Sequence, residues 1–306
     1  MHDPSHGHRV RTGKILIWSL AATVVFVVVE TLAGLQAHSL ALLSDAGHNF
    51  TDALALLLAA LAFYLQAKPA NESKTYGYHR AGVLAAFVNA LTMLLLSGFI
   101  FWESWERLRR PEPVEETTML VVAGLGLAVN ASIMWGLRRD SRHDLNFRAA
   151  FMHMLGDALG SVGIIAGALV IRHSGWHVVD PILSILIGGL IIWTAWGIVK
   201  ESLNILLEGL PRGMRLESVI SAIRDVDGVM DVHDLHVWSL GSSTHALSCH
   251  VQIDDVPPST SESILRRIND GLRERFQIHH TTIQFEHANC AVSEMGCSIP
   301  TAGHRH

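Results

Sequence analysis

Six long apolar windows, near residues 15–36, 40–66, 80–104, 118–137, 148–171 and 178–203, constrain this chain more than any other feature of its sequence. Each is long enough to cross about 30 Å of hydrocarbon as an α-helix. With 49% hydrophobic and only 17% charged residues, the composition places the chain in the membrane class rather than among ordinary soluble enzymes. Arg9, Arg11 and Lys14 precede the first window as they would a signal peptide. That run is longer than a signal h-region, however, and no small-residue cleavage site closes it, so it reads as a span.

An even number of spans puts both termini on one side. Eleven Lys and Arg residues, among them Lys68, Lys74, Arg80, Arg138 and Arg148, fall on that side, against Arg107, Arg109, Arg110 and Arg172 on the other. Positive residues favour the cytoplasm, so both termini are expected there. The formal charge of −5 and the scatter of basic residues along loops argue against a nucleic-acid partner. Cys249, Cys290 and Cys297 lie in the predicted cytoplasmic part, where they are expected as thiols rather than a structural disulfide.

Four parts follow: a His-bearing arm (1–14), a six-helix transmembrane domain (15–207), a cytoplasmic α+β domain (208–288) and a Cys/His-bearing tail (289–306). Within the polar part, 216–224 and 259–276 read as helices, and 229–240, 245–253 and 281–286 as strands. Ile264, Ile268 and Leu272 recur every four residues, while Leu247, Cys249, Val251 and Ile253 alternate, so each element offers one apolar face to a shared core.

The chemistry is concentrated in the membrane. Span two carries His48 and Asp52, span five carries His153 and Asp157, and each pair is His-x-x-x-Asp. Residues four apart share a helix face, so two facing helices present two imidazoles and two carboxylates. Each aspartate at mid-membrane costs roughly 2.5 to 3.5 kcal/mol on insertion scales, and a divalent cation would offset that cost. Two His nitrogens with two Asp oxygens suit Zn²⁺, with Cd²⁺ and Co²⁺ as companions; Cu⁺ would ask for sulfur, and Mg²⁺ or Ca²⁺ for six or more oxygens. The bland alternative is a buried hydrogen-bonded cluster without metal, and the doubled spacing argues against it. Asp45, one turn before His48, is expected to orient a ligand or carry protons, and Glu30 to line an external exit or reach the interface.

Ser39-Leu-Ala-Leu-Leu-Ser-Asp45-Ala-Gly-His48-Asn-Phe-Thr-Asp52, Tyr76-Gly-Tyr-His-Arg80 and His153-Met-Leu-Gly-Asp157 resemble the cation diffusion facilitator family, in its bacterial zinc-exporter branch. Asn204-Ile-Leu-Leu-Glu-Gly-Leu-Pro211 and His233-Asp-Leu-His-Val-Trp238 carry the resemblance into the soluble part. It implies a homodimer in the lipid bilayer of the bacterial inner membrane, a ferredoxin-like cytoplasmic domain, and Zn²⁺ efflux by alternating access with protons as counter-ion. It further implies a regulatory metal site at His233, His250 and Glu286, and a charge interlock in which Arg80 and Glu208 pair across the dimer. Strand alternation puts His233 and His236 on opposite faces, as it does His245 and His250. Some relatives bind a further metal in the loop between spans two and three; here Asn71, Lys74 and Tyr78 stand at those positions, and no site is expected. The arm histidines His2, His6 and His8, and Cys290, Cys297, His287, His304 and His306 in the tail, remain candidates for weaker metal handling.

Two other classes of function compete. An intramembrane metallohydrolase keeps an open coordination position and a general base nearby, but no His-Glu-x-x-His occurs. A metal sensor would leave six spans with embedded ligands without a role.

Overall fold

The computed structural model describes residues 23–138, 145–241 and 244–287. Helices run through the apolar windows: α1 (Thr23–Gln36 within the described residues), α2 (Leu40–Gln66), α3 (Ala81–Arg109), α4 (Glu116–Leu137), α5 (Leu145–Ser174) and α6 (Val179–Leu206). By length and composition α2 to α6 can each cross a membrane, whereas the start of the first window lies outside the described residues. Such large outward side chains as Leu95, Leu186 and Trp193 are exposed, which a hydrocarbon surrounding accommodates and water does not.

Small residues let the helices approach closely. A Cβ added at Gly167 of α5 would collide with Leu183 of α6, and one at Gly126 of α4 would press on Phe26 of α1. Around these contacts Leu42, Met119, Val122, Ile164, Ala168 and Ile171 form one buried cluster. The entry to α2 is fixed by polar groups. Ser39 acts as its N-cap, accepting from Leu42 N–H at 3.2 Å. The buried Asp180 at the start of α6 accepts from Ser39 Oγ (2.6 Å), Leu40 N–H (2.7 Å) and Ala41 N–H (3.2 Å). A carboxylate placed against the N–H groups of a helix start also meets the positive end of the helix dipole.

The chain forms two compact units. One is built on most of the helical part. The other joins the C-terminal region to the last turns of α2 and α6 and the first turns of α3. In the C-terminal region α7 (Leu216–Arg224), β1 (Val229–Ser239), β2 (His245–Ile253), α8 (Pro258–Phe276) and β3 (Ile278–Glu286) follow in order. The sheet order is β1-β2-β3. β1 and β2 pair antiparallel, and β2 and β3 pair parallel. A parallel pair needs a crossover, and α8 supplies it. Val219 and Ile223 of α7, Ile264, Ile268 and Leu272 of α8, and Leu247, Cys249, Val251 and Ile253 of β2 meet in one core. Each fully buried Ile or Leu there contributes about 1.5–3 kcal/mol. This is the α+β layer that the alternating and four-residue patterns call for.

Two details depart from the sequence reading. β3 begins at Ile278, three residues before the expected Thr281, because Gln277 takes a left-handed φ of 57° as the C-cap of α8 and turns the chain directly into the sheet. His233 and His236 do not lie on opposite faces. In the register His233 stands across from His250 and His236 across from Ser248, so three steps on β1 match two on β2. Asp234, at φ 50°, marks the bulge that adds the extra residue. Both histidines therefore lie on the face opposite the core.

Candidate metal sites

α2 and α5 bring their two His-x-x-x-Asp pairs together. His48 Nε2 lies 3.9 Å from Asp52 Oδ2 and 3.5 Å from Asp157 Oδ1. His153 Nε2 lies 3.3 Å from Asp52 Oδ2 and 3.7 Å from Asp157 Oδ2. Donor atoms of His48, His153 and Asp157 all fall within 4.8 Å of one another, and Asp52 joins this trio through the two imidazoles. Asp157 is buried at 7% exposure while His153 keeps 45%, so the cluster is closed on the Asp157 side and open on the His153 side. Gly160 of α5 faces Asp45 of α2, where a Cβ would stand in ordinary contact at 3.7 Å from Asp45 Oδ1.

A second polar group adjoins this one. Asp45 is buried, one turn before His48. Glu30 is buried at 1% exposure, and Asn49 Nδ2 donates to its Oε2 at 3.0 Å. Asp180 belongs to no motif, and sequence reasoning missed it. The available signal was Asp180-Pro181 at the opening of a span, a helix-start pattern that costs too much in hydrocarbon to be idle.

In the C-terminal sheet His233, His250 and Glu286 come from three adjacent strands. His233 Nε2 is 3.1 Å from Glu286 Oε2, and His250 Nδ1 is 2.9 Å from Glu286 Oε1. The two rings meet edge-on with centroids 5.4 Å apart. His233 Nε2 and Glu286 Oε2 are buried and, though 3.1 Å apart, make no aligned hydrogen bond, a deficit that a shared cation removes. Asp234 is a residue the strand reading overlooked. Its bulge aims Oδ1 at His236 Nε2 (3.1 Å) and Oδ2 toward His250 Nε2 (3.8 Å). Cys249 faces the core instead, and burial, with Asp234 nearby, pushes its thiol up to about 12, so it stays protonated and offers no thiolate.

The remaining candidates divide. Arg80 Nη2 and Glu208 Oε1 pair at 3.1 Å within one chain. Glu208 takes φ 61° just after α6, and that turn directs its carboxylate back to the start of α3. Asn71 caps its own turn, accepting from the N–H groups of Ser73 (3.0 Å) and Lys74 (2.9 Å), while its Nδ2 meets the Tyr78 hydroxyl at 3.4 Å. His287 contacts the Asp254 carbonyl at 3.1 Å. His2, His6, His8, Cys290, Cys297, His304 and His306 lie outside the described residues.

Membrane-length helices with a polar cluster between two of them, joined to a small α+β unit, define a multi-pass membrane protein. The family description "Cation efflux transmembrane domain" matches residues 16–207, and "Cation efflux protein, cytoplasmic domain" matches residues 211–288. The chain therefore belongs to the cation efflux, or cation diffusion facilitator, family, which is a family of transporters. It is 40% identical over 305 residues to the zinc transporter ZitB of Pectobacterium atrosepticum, covering 99% of this chain and 93% of that one. It is 39% identical over 286 residues to the cadmium, cobalt and zinc/H⁺-K⁺ antiporter of Bacillus subtilis, with 92% of each covered. The solved metal-bound C-terminal domain of the CzcD transporter from Cupriavidus metallidurans shares 37% identity, covering 24% of this chain and 99% of that domain at a TM-score of 0.22.

Proposed function

We propose that this chain exports Zn²⁺ from the cytoplasm in exchange for protons, binding the ion between α2 and α5 at His48, Asp52, His153 and Asp157. The spacing of those donors carries the reading. In a tetrahedral shell with bonds of about 2.0–2.1 Å, neighbouring donors stand roughly 3.3 Å apart. The four His–Asp separations run from 3.3 to 3.9 Å, so slight side-chain adjustment closes the shell. Two carboxylates neutralise the ion, and Cd²⁺ and Co²⁺ suit the same donors.

Only deprotonated ligands bind the metal, so Zn²⁺ arriving from the cytoplasm displaces protons. Facing the outside, an imidazole takes up a proton, the shell loses a donor, and the ion leaves. The names of the relatives, a zinc transporter and a proton-coupled antiporter, favour export with exchange over uptake. In this reading the protein is a homodimer of the bacterial inner membrane with both termini cytoplasmic. Residues 15–207 form the transport domain and 208–288 a dimerisation domain. His233, His250 and Glu286 bind a regulatory Zn²⁺ there, with the arm (1–14) and tail (289–306) outside both.

Proteoliposomes carrying an internal pH dye test the proposal. Added Zn²⁺ should enter through inward-pumping molecules and move protons the other way, with Cd²⁺ and Co²⁺ behaving alike and Mg²⁺ silent. Zinc flux with no accompanying proton movement would exclude antiport, and absence of any zinc flux would exclude the transport site.

A further inference from the structure

A cavity of about 850 Å³ within the C-terminal unit adjoins the Arg80–Glu208 pair and includes no residue of either candidate metal site. Leu84 at the start of α3, Leu206 at the end of α6 and Trp238 of β1 give it apolar walls, while Lys74, Arg80 and Glu208 stand among its lining. Two permanent cations thus face one carboxylate, and Glu208 is already engaged by Arg80 at 3.1 Å. Lys74 is exposed and has no ion pair among the described residues. The net balance of the cavity is positive. Its size lies in the range that encloses most of a small ligand.

The depth of the cavity matters as much as its charge. Leu84 and Leu206 lie within the terminal turns of helices long and apolar enough to span a membrane, so the cavity sits where a bilayer gives way to headgroups. Anionic headgroups and their negative surface potential occupy that level on the cytoplasmic side.

We propose that this cavity holds one anionic phospholipid, its phosphate between Lys74 and Arg80 and the upper part of an acyl chain along Leu84, Leu206 and Trp238. A free phosphate satisfies the cations and leaves the leucine and tryptophan walls against water. A zwitterionic lipid fills the walls but brings a positive group toward Lys74. An anionic lipid meets both requirements at the depth where such lipids reside.

Native mass spectrometry of the full chain in detergent tests this with three probes: dioleoyl phosphatidylglycerol, dioleoyl phosphatidylcholine and inorganic phosphate. Wild type should retain one phosphatidylglycerol per chain in preference to phosphatidylcholine. Lys74→Gln should lower that retention about fivefold, the weight of one basic residue at an anionic surface, and Lys74→Arg should restore it. Leu84→Trp, which fills the apolar end, should also displace the lipid while the melting temperature stays near wild type. Equal retention of the two lipids, or retention insensitive to Lys74→Gln, overturns the proposal. Displacement of phosphatidylglycerol by millimolar phosphate overturns it in favour of a headgroup-only site. A change in the ratio of monomer to dimer, in place of a change in lipid retention, overturns it in favour of a second copy of the chain.

Discussion

Asp157 is the most enclosed donor of the intramembrane cluster, at 7% exposure against 29% for Asp52. Asp157→Ala and Asp52→Ala should each lower reconstituted zinc flux by more than about a hundredfold, beyond the roughly 10–100-fold that loss of an outer-shell partner costs, while the protein elutes as wild type does. Flux within a factor of two of wild type in either variant removes that aspartate from the ligand set. His48→Asp should keep a closing shell yet make it richer in oxygen, and so raise Cd²⁺ or Mn²⁺ flux relative to Zn²⁺ in a competition assay. An active variant with unchanged preference would mean that His48 does not set selectivity. These residues were legible because a four-residue spacing fixes a shared helix face whatever the helix packs against. Glu30 was not. Its burial beside Asn49, 3.0 Å away, depends on how α1 meets α2, which no spacing encodes.

Helices were legible as elements because their windows match the bilayer thickness, whereas the sheet was legible only up to its irregularities. Alternation gave Leu247, Cys249, Val251 and Ile253 their common face. It failed between His233 and His236, since one inserted residue reverses the parity of everything beyond it. Asp234 could have warned of this, because aspartate tolerates the left-handed backbone that a bulge needs, yet most aspartates in strands mark nothing. The joint between α2 and α6 was equally hidden, as it depends on which two helix ends meet. Asp180→Ala should leave Leu40 N–H and Ala41 N–H without their acceptor, at about 1–3 kcal/mol for each buried donor. A lower melting temperature and faster amide exchange at Leu40 and Ala41 are expected, with zinc flux reduced although no ligand is altered. Asp180→Asn, which keeps one acceptor oxygen, should fall between the two. Unchanged exchange at Leu40 would show that the contact does not hold α2.

At the scale of the whole molecule, the proposed sheet site can influence transport only through a conformational equilibrium, and only by binding one state better than another. His233→Ala with His250→Ala should therefore flatten the rise of flux with cytoplasmic zinc and leave a basal flux that still requires Asp157. Loss of that basal flux as well would place the sheet site in the transport path itself. The Asp180 joint bears on how such an equilibrium is realised. With the first turn of α2 tied at Ser39, Leu40 and Ala41, sliding α2 along α6 breaks buried charge-assisted bonds, but tilting it about that point need not. In the proposed transport cycle α2 would act as a lever with its fulcrum at Asp180. His48 and Asp52 lie eight and twelve residues beyond Leu40, or about 12 and 18 Å along the helix. A tilt of roughly 10° about that fulcrum would carry them about 2–3 Å, so in the proposed cycle a small swing of one helix would open or close the shell around an ion.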